Sequence, residues 1–473
     1  MEIKFGTEGW RGVISESFTF ANLRAVIRAL AAFLLAHGKG RRGVVVGYDT
    51  RFLSREYAQE AARVLASSGI EVFLAREPAP SPVISYSVKV LRAAAGLVVT
   101  ASHNPPVYNG IKIKGPHGGP ALKEMLDDIA DRISFGDSEE KGGRGEIHEF
   151  HPAATYLPRV LTLVDGSSLA RSGFRVVVDS MYGAGQGYLS SLLRRCGIPC
   201  LEIRTGYNPG FDGIPPEPVA RNLGPLVVAV REHRADLGLA LDGDGDRLGV
   251  VDRNGNFIEP HHVMAIIARH LVEERHWPGD FAKTIATTEM LDKLARTYER
   301  RIHVTPVGFR HITRLFLEEE LLLGGEESGG LGVRNHIPER DGTVAGLLLL
   351  DALAARNLSL SEMVGEVHEL LGPHYYQRLD LPLTPELKEC YHALARDFPD
   401  SLGRFRVTAV ETLDGIKFRL GKHGWVLLRA SGTEPLLCVY AESSSARKTK
   451  EILRSVRKLL PSCAQGRHDR HVK

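Results

Sequence analysis

Short apolar runs alternate with helical patterns through most of the chain, the grammar of α/β domains built on largely parallel sheets. Val44-Val45-Val46-Gly47-Tyr48 predicts a buried strand, followed by an amphipathic helix over about 54–68 and a second strand over 71–75. Ser81 and Pro82 then offer an N-cap and a first-turn proline for a further helix. Residues 95–99 predict another strand, which runs directly into Thr100-Ala101-Ser102-His103-Asn104-Pro105. The pattern returns twice. The apolar run 235–241 ends in DGDGDR (242–247), and Leu321-Leu322-Leu323 ends in GGEESGG (324–330). Three repeated α/β units are therefore expected, each with a polar loop at the carboxyl end of a strand, where open parallel sheets hold ligands. Three such loops can converge on one cleft.

Turn-rich stretches divide the chain. The charged, glycine-rich segment 136–145, then Asn254-Gly255-Asn256, then Leu371-Gly372-Pro373-His374 predict domains at 1–147, 148–255, 256–370 and 371–473. The last carries alternating apolar stretches at 425–428 and 436–440 and a helix over 446–460, which reads as a smaller α+β domain. The polar, basic tail 463–473 is expected to fray, with its histidines solvated.

Length and composition narrow the class. A chain of 473 residues exceeds what one hydrophobic core organises. Lys and Arg number 60 against 57 Asp and Glu, so no overall field favours nucleic acid or a membrane, and an anionic substrate needs local basic groups. The first residues carry no apolar signal-peptide region, and the longest apolar stretches, such as 344–350, stop far short of a bilayer span. Five cysteines at 196, 200, 390, 438 and 463 form no CxxC pair, so a reduced, cytoplasmic setting is expected.

The loops carry the chemistry. In DGDGDR, three carboxylates at alternate positions, separated by glycines, let the backbone fold tightly around one hard cation. An EF-hand begins the same way but requires glycine at its sixth position and glutamate at its twelfth, where Arg247 and Arg253 stand here. Magnesium with open coordination sites is favoured over calcium; the competing reading is a solvated acidic turn. TASHNP offers a serine and a histidine after a buried strand. Tyr108-Asn109-Gly110 reads as a tight hairpin turn, and the returning strand sets Lys112 and Lys114 on one face. Serine beside a metal loop and an ammonium group is a candidate phosphoryl acceptor. Glu326 and Ser328 can accept hydrogen bonds from sugar hydroxyls, and Arg429 with Ser431, Gly432 and Thr433 suits a phosphate dianion. Each motif alone has a bland alternative as a capped or solvated turn, but together they make one chemical set.

TASHNPPVYNGIKI, DGDGDR, GEESGG and RASGTEP, in this order, resemble the phosphoserine, metal, sugar-binding and phosphate-binding loops of the α-D-phosphohexomutase family. FGTEGWRG (5–12) and PPEPVARNLGPL (215–226) resemble further signatures of that family, so the likeness spans essentially the whole chain. The resemblance implies three similar α/β domains with mixed, largely parallel sheets and a C-terminal α+β domain of the TATA-binding-protein-like type, around a central cleft. It implies that Ser102 is phosphorylated and that Asp242, Asp244 and Asp246 hold one magnesium ion together with the phosphoserine oxygen. Arg247 would contact that phosphate, with Arg11 close by. Lys112 and His103 are the candidates for proton transfer. Glu326 and Ser328 would read sugar hydroxyls, and Arg429, Ser431, Gly432 and Thr433 would hold the non-reacting phosphate. A hexose 1,6-bisphosphate would serve as intermediate and activator. The expected partners are small-molecule hexose phosphates, without nucleic acid or membrane, for a monomer or homodimer.

Two departures stand out. Many bacterial members have histidine where Gly330 stands, and relatives often have lysine where Arg310 stands; arginine is no general base, though it can clamp a phosphate. The expected activity is interconversion of hexose 1- and 6-phosphates, glucose preferred and mannose accepted, because Glu326-Glu327-Ser328 resembles the form found in phosphoglucomutases. Phosphoglucosamine mutase is the alternative. A phosphatase, or an inactive sugar-phosphate-binding homologue, is disfavoured by the enclosing fourth domain and by the intact serine, aspartates and Lys112.

Overall fold

The computed structural model describes the chain except for residues 1, 2, 4, 7, 136–142, 433–434 and 466–473, with backbone alone at 461–465. Most of the expected linker 136–145, Thr433 and most of the tail thus lie outside the described residues.

Three sheets repeat one plan. The first runs, in spatial order, Gly9–Val13, Tyr108–Lys114, Ala95–Val99, Val44–Tyr48, Val72–Ala75 and Ile147–Phe150. The last four strands are mutually parallel, and Tyr108–Lys114 returns antiparallel beside Ala95–Val99. In the second sheet Cys200–Ile203, Val176–Asp179 and Leu237–Leu241 are parallel, and Leu248–Asp252 returns antiparallel. In the third, Ile302–Thr305, Asp280–Thr284 and Leu321–Gly325 are parallel, and Leu331–Val333 returns antiparallel. Each time the motif loop joins a buried parallel strand to its antiparallel return. The shared plan explains why three dissimilar sequences place their polar loops alike.

Burial on both faces sets the strand composition. Val44 and Val46 pack with Leu23, Tyr57 and Ala58, whereas Val45 packs with Val83, Ile84 and Val88 on the other side. Helices therefore cover both faces, and an uninterrupted apolar strand replaces polar–apolar alternation. The apolar run 344–350 lies in helix Gly342–Arg356, which is buried on every side for most of its length and packs on strands Leu237–Leu241 and Leu248–Asp252. Among the described residues no single helix is long and apolar enough to cross a membrane.

The C-terminal unit is a different object. Its antiparallel sheet orders Tyr375–Pro382, Leu436–Ser443, Trp425–Ala430, Ile416–Arg419 and Ala409–Glu411, with helices Pro385–Arg396 and Ala446–Gln465 packed together. It docks on the third unit through Glu442, 2% exposed. That carboxylate accepts from Trp425 Nε1 (2.9 Å), Thr288 Oγ1 and the Glu289 N–H (2.9 Å), and pairs with His374 (2.8 Å).

Three sequence expectations shift. Tyr108-Asn109-Gly110 is strand rather than turn, because Asn109 is needed inside the sheet, where its amide reaches Ser54 Oγ (3.0 Å). The reversal falls earlier, in the serine loop itself. Asn254-Gly255-Asn256 is a turn within the second sheet, whose short last strand is Phe257–Ile258. Ser81 is already the first residue of helix Ser81–Val90 and does not cap it; its N–H and hydroxyl both donate to Asp244 instead.

Candidate active site

The serine loop is shaped by a buried arginine. Strand Val44–Tyr48 ends at Asp49, which accepts from Thr100 Oγ1 (2.6 Å) and pairs with Arg51 (3.2 Å). Arg51, 1% exposed, donates to the carbonyls of Ser102 and Asn104 (2.6 Å each), Pro105 (2.9 Å) and Tyr108 (3.0 Å). Turning four carbonyls toward one guanidinium bends the loop back and leaves Ser102 at φ +53°. A non-glycine residue in that region is held at a cost of order 1 kcal/mol, which such a network can supply. The Ser102 hydroxyl then donates to Asp242 Oδ2 (2.9 Å), with His103 Nδ1 3.4 Å away.

DGDGDR meets it from the second unit. A Cβ on Gly243 would lie 2.4 Å from the Ser102 carbonyl oxygen, and Gly245 turns at φ +71°, so both glycines are steric requirements. Asp242 Oδ1 accepts the N–H groups of Asp246 (2.9 Å) and Arg247 (3.1 Å), closing the loop. Oxygens of Asp242, Asp244 and Asp246, all fully buried, lie within 4.8 Å of one another. Asp244 Oδ1 and Asp246 Oδ1 have no hydrogen-bond partner. Two orphaned anionic oxygens in a buried trio of carboxylates suit a small, hard dication, so the donor set fits magnesium.

The electrostatics agree with this reading. Burial, then the carboxylates of Asp246 and Asp244, push the Asp242 carboxyl well above its ordinary range. Burial acts the same way on Asp246, but Arg340 and Lys112 outweigh it and hold that group well below the usual range. Lys112 Nζ sits 2.7 Å from Asp244, 2.6 Å from Asp246 and 3.3 Å from Glu8. Burial alone would lower its pKa; those three carboxylates instead raise it and keep the ammonium charged. A proton-accepting Lys112 needs a pKa well below that of a free lysine, and the carboxylates around it work against that. For His103, burial followed by the nearby Arg247 and Arg11 guanidinium groups hold the imidazole well below its ordinary pKa, hence neutral.

The third unit contributes GGEESGG and a residue that the sequence did not single out. Glu326, 5% exposed, accepts from Arg340 Nη1 (2.7 Å), and burial pushes its pKa up to about 7. The other nitrogen of that fork, Arg340 Nη2, reaches Asp246 (2.7 Å) and Glu8 (2.5 Å). A Cβ at Gly330 would lie 2.3 Å from Arg340 Cδ. The glycine that stands in place of a familiar histidine thus makes room for an arginine from ten residues downstream. Glu327 accepts from Thr284 Oγ1 (3.0 Å), and Ser328 is half-buried.

The remaining expected residues divide. Arg247 is half-buried, 3.9 Å from Asp246, and Arg11 is exposed, donating to Asn104 Oδ1 (2.6 Å) beside the serine. Arg429 pairs with Asp414 (2.8 Å), whose carboxylate also accepts the Val307 N–H (2.9 Å), so the fourth unit's loop is tied to segment 305–311. Arg310 of that segment is half-buried; Ser431 is half-buried and Gly432 exposed. The structure therefore gathers Ser102, His103, Lys112, Asp242, Asp244, Asp246, Arg247 and Glu326 in one cluster. Arg429 stands instead at the seam of the third and fourth units.

Glu8, Arg51, Glu339 and Arg340 were missed. Arg51 had a weak signal, a charged residue just past a buried strand, and Glu8 lay within the signature-like segment 5–12 without being singled out; the 339–340 pair had no signal, because only folding buries it. Glu339 accepts from Lys114 Nζ (2.5 Å) and Ser85 Oγ (3.0 Å), linking the first and third units. Lys114→Met strands a wholly buried carboxyl, and the expected loss is about 3–5 kcal/mol. Burial already raises the Glu339 pKa, so its folded state binds the proton more tightly than the unfolded chain does. The variant's stability then falls as pH rises through that folded pKa. Urea melts over a pH series rising from about 4, the ordinary glutamate range, check this; a pH-independent loss would count against it.

Family models for phosphoglucomutase/phosphomannomutase match in order: alpha/beta/alpha domain I over residues 2–140, domain II over 154–255, domain III over 259–370, and the C-terminal domain over 396–459. The chain belongs to the phosphoglucomutase/phosphomannomutase family of the phosphohexomutases, which are isomerases. Among its relatives, a phosphoglucomutase/phosphomannomutase of Thermococcus kodakarensis is 32% identical over 465 residues, 98% of this chain and 99% of the relative. The phosphoglucosamine mutase of Pasteurella multocida is 31% identical over 448 residues, 93% and 94% of the two chains. A solved structure from Thermus thermophilus, provisionally described as a phosphomannomutase, superposes with a TM-score of 0.87 at 36% identity, covering 97% of this chain and 99% of that one.

Proposed function

We propose that this chain interconverts hexose 1-phosphates and hexose 6-phosphates through a phosphorylated Ser102, with glucose phosphates preferred and mannose phosphates accepted. The observation that carries the reading is the Ser102 hydroxyl 2.9 Å from Asp242, beside two aspartates with unpartnered buried oxygens. Asp242, Asp244 and Asp246 would hold magnesium, which when bound neutralises charge developing on the transferred phosphoryl group.

In the first half-reaction the bond between phosphorus and Ser102 Oγ breaks as a bond forms to the free sugar hydroxyl, giving a bisphosphate. The hydroxyl proton must leave. Neutral His103, beside the serine, has an unprotonated ring nitrogen to accept it, though its depressed pKa makes it a weak base; Lys112, kept charged, acts as an electrostatic partner of the phosphoryl oxygens. Reorientation of the bisphosphate and the reverse transfer then regenerate phosphoserine. Arg247 and Arg11 are assigned to the reacting phosphate. Arg429, with Ser431, Gly432 and Thr433, is assigned to the distal one, with Arg310 as a further clamp. Glu326 and Ser328 read the sugar hydroxyls. A bisphosphate is the expected activator, and the domain limits are assigned near 147, 255 and 370, the first two moved a few residues on so that strands Ile147–Phe150 and Phe257–Ile258 stay with the first and second sheets.

Phosphoglucosamine mutase is the second reading, favoured by relatives of similar identity that carry that name, among them the Pasteurella multocida protein. A loop reading O3 and O4 distinguishes weakly between sugars that differ at C2. The deciding measurement is kcat/KM for glucose, mannose and glucosamine 1-phosphates at one bisphosphate concentration. Glucose is expected to lead. A tenfold or greater advantage for glucosamine, about 1.4 kcal/mol in transition-state binding, overturns the sugar assignment and leaves the mutase chemistry standing.

A further inference from the structure

Resting on that reading of the metal and sugar loops, we infer that Arg340, seated in the space left by Gly330, is a positioning residue. It clamps the sugar loop onto the metal loop at the expense of metal affinity.

The geometry is a fork with its prongs in different loops. Nη1 takes Glu326 (2.7 Å), and Nη2 takes Asp246 (2.7 Å) and Glu8 (2.5 Å), with the side chain 6% exposed. Planar bidentate donation holds two carboxylates in fixed relation, which a flexible ammonium cannot do. On the metal side, Asp244 and Asp246 each have one oxygen engaged and one without a hydrogen bond. Asp246 Oδ2 takes Arg340 and Lys112, Asp244 Oδ2 takes Lys112 and Ser81, and neither Oδ1 atom has a hydrogen-bond partner, with Arg247 3.9 Å from that of Asp246. A guanidinium bonded to a ligand carboxylate also competes electrostatically with a dication arriving at the other oxygen. Arg340 therefore improves the placement of Glu326 and weakens the hold of Asp246 on cations.

The two effects have opposite signs, and a merely structural residue would not produce that split. Arg340→Met is expected to bind magnesium about tenfold more tightly and glucose 1-phosphate about tenfold more weakly. Arg340→Lys keeps a charge near Asp246 but loses the fork, so its magnesium affinity should stay near wild type while its sugar affinity falls. Gly330→Ala drives a methyl into the arginine stem and should shift both affinities as Arg340→Met does, with Arg340 still present.

Calorimetry with magnesium alone, and separately with glucose 1-phosphate in metal-free buffer where no transfer occurs, reads both affinities without turnover. Thermal melts establish that each variant is folded. Opposite shifts in Arg340→Met and Gly330→Ala support the inference. Parallel losses of both affinities, or no change in either, overturn it while leaving the proposed function intact. A wild-type protein that binds no magnesium or no sugar phosphate would instead sink the underlying reading.

Discussion

Ser102→Ala is expected to lower mutase turnover by roughly 10⁴-fold to 10⁶-fold, the range seen when a nucleophile is removed from an otherwise intact site. The fold should survive, because the loop is held through backbone carbonyls. Arg51 grips the carbonyl of residue 102 (2.6 Å), and Thr100 Oγ1 accepts its N–H (2.8 Å), contacts that alanine keeps. What disappears is the Oγ that bonds Asp242 and, on the proposed mechanism, carries the phosphoryl group. Intact-protein mass spectrometry should show a phosphorylated fraction in the wild type and none in the variant. Turnover near the wild-type rate in Ser102→Ala would end the phosphoserine mechanism, whichever sugar is used.

Removal of divalent metal should abolish transfer, the second large effect. With no cation, three buried carboxylates lean on Lys112, Arg340 and Arg247, and Asp242 is pushed far up its titration range by burial and by Asp246 and Asp244. A phosphoryl dianion brought next to that cluster would face the Oδ1 atoms of Asp244 and Asp246, which have no hydrogen-bond partner, with no dication between. Magnesium should restore activity better than calcium, since it keeps a compact octahedral geometry while the larger ion wants more oxygens at longer distance. Asp244→Asn removes one charge at nearly constant shape and should weaken magnesium binding about tenfold or more, read by calorimetry. Activity that persists in excess chelator would remove the three aspartates from the chemistry.

The loops that bear the chemistry were legible because each is a local pattern with a local reason. Alternating Asp and Gly can serve one cation only as a tight turn, and the apolar run before each motif announces a buried strand. The repeat of strand and polar loop was legible for the same reason, whereas a returning strand was read only after the serine loop; the returns Leu248–Asp252 and Leu331–Val333 came from the structure. Turn positions were less secure. Tyr108-Asn109-Gly110 has the composition of a hairpin, yet the sheet takes Asn109 as a buried hydrogen-bonding member, a tertiary demand that outweighs turn propensity.

The amino-acid sequence alone therefore determined the unit plan, the candidate serine and the three aspartates. All of these depend on residues within a few positions of one another. Only the tertiary structure decided which charges meet. Lys112 reaches across 134 residues to Asp246, Arg340 across 94 to the same carboxylate, and Ser102 across 140 to Asp242. Whether Lys112 is a base or a fixed cation depends on how many carboxylates face it, and no linear pattern states that number. The same holds at Gly330. In sequence it is a missing histidine; in space it is the opening through which Arg340 enters the site.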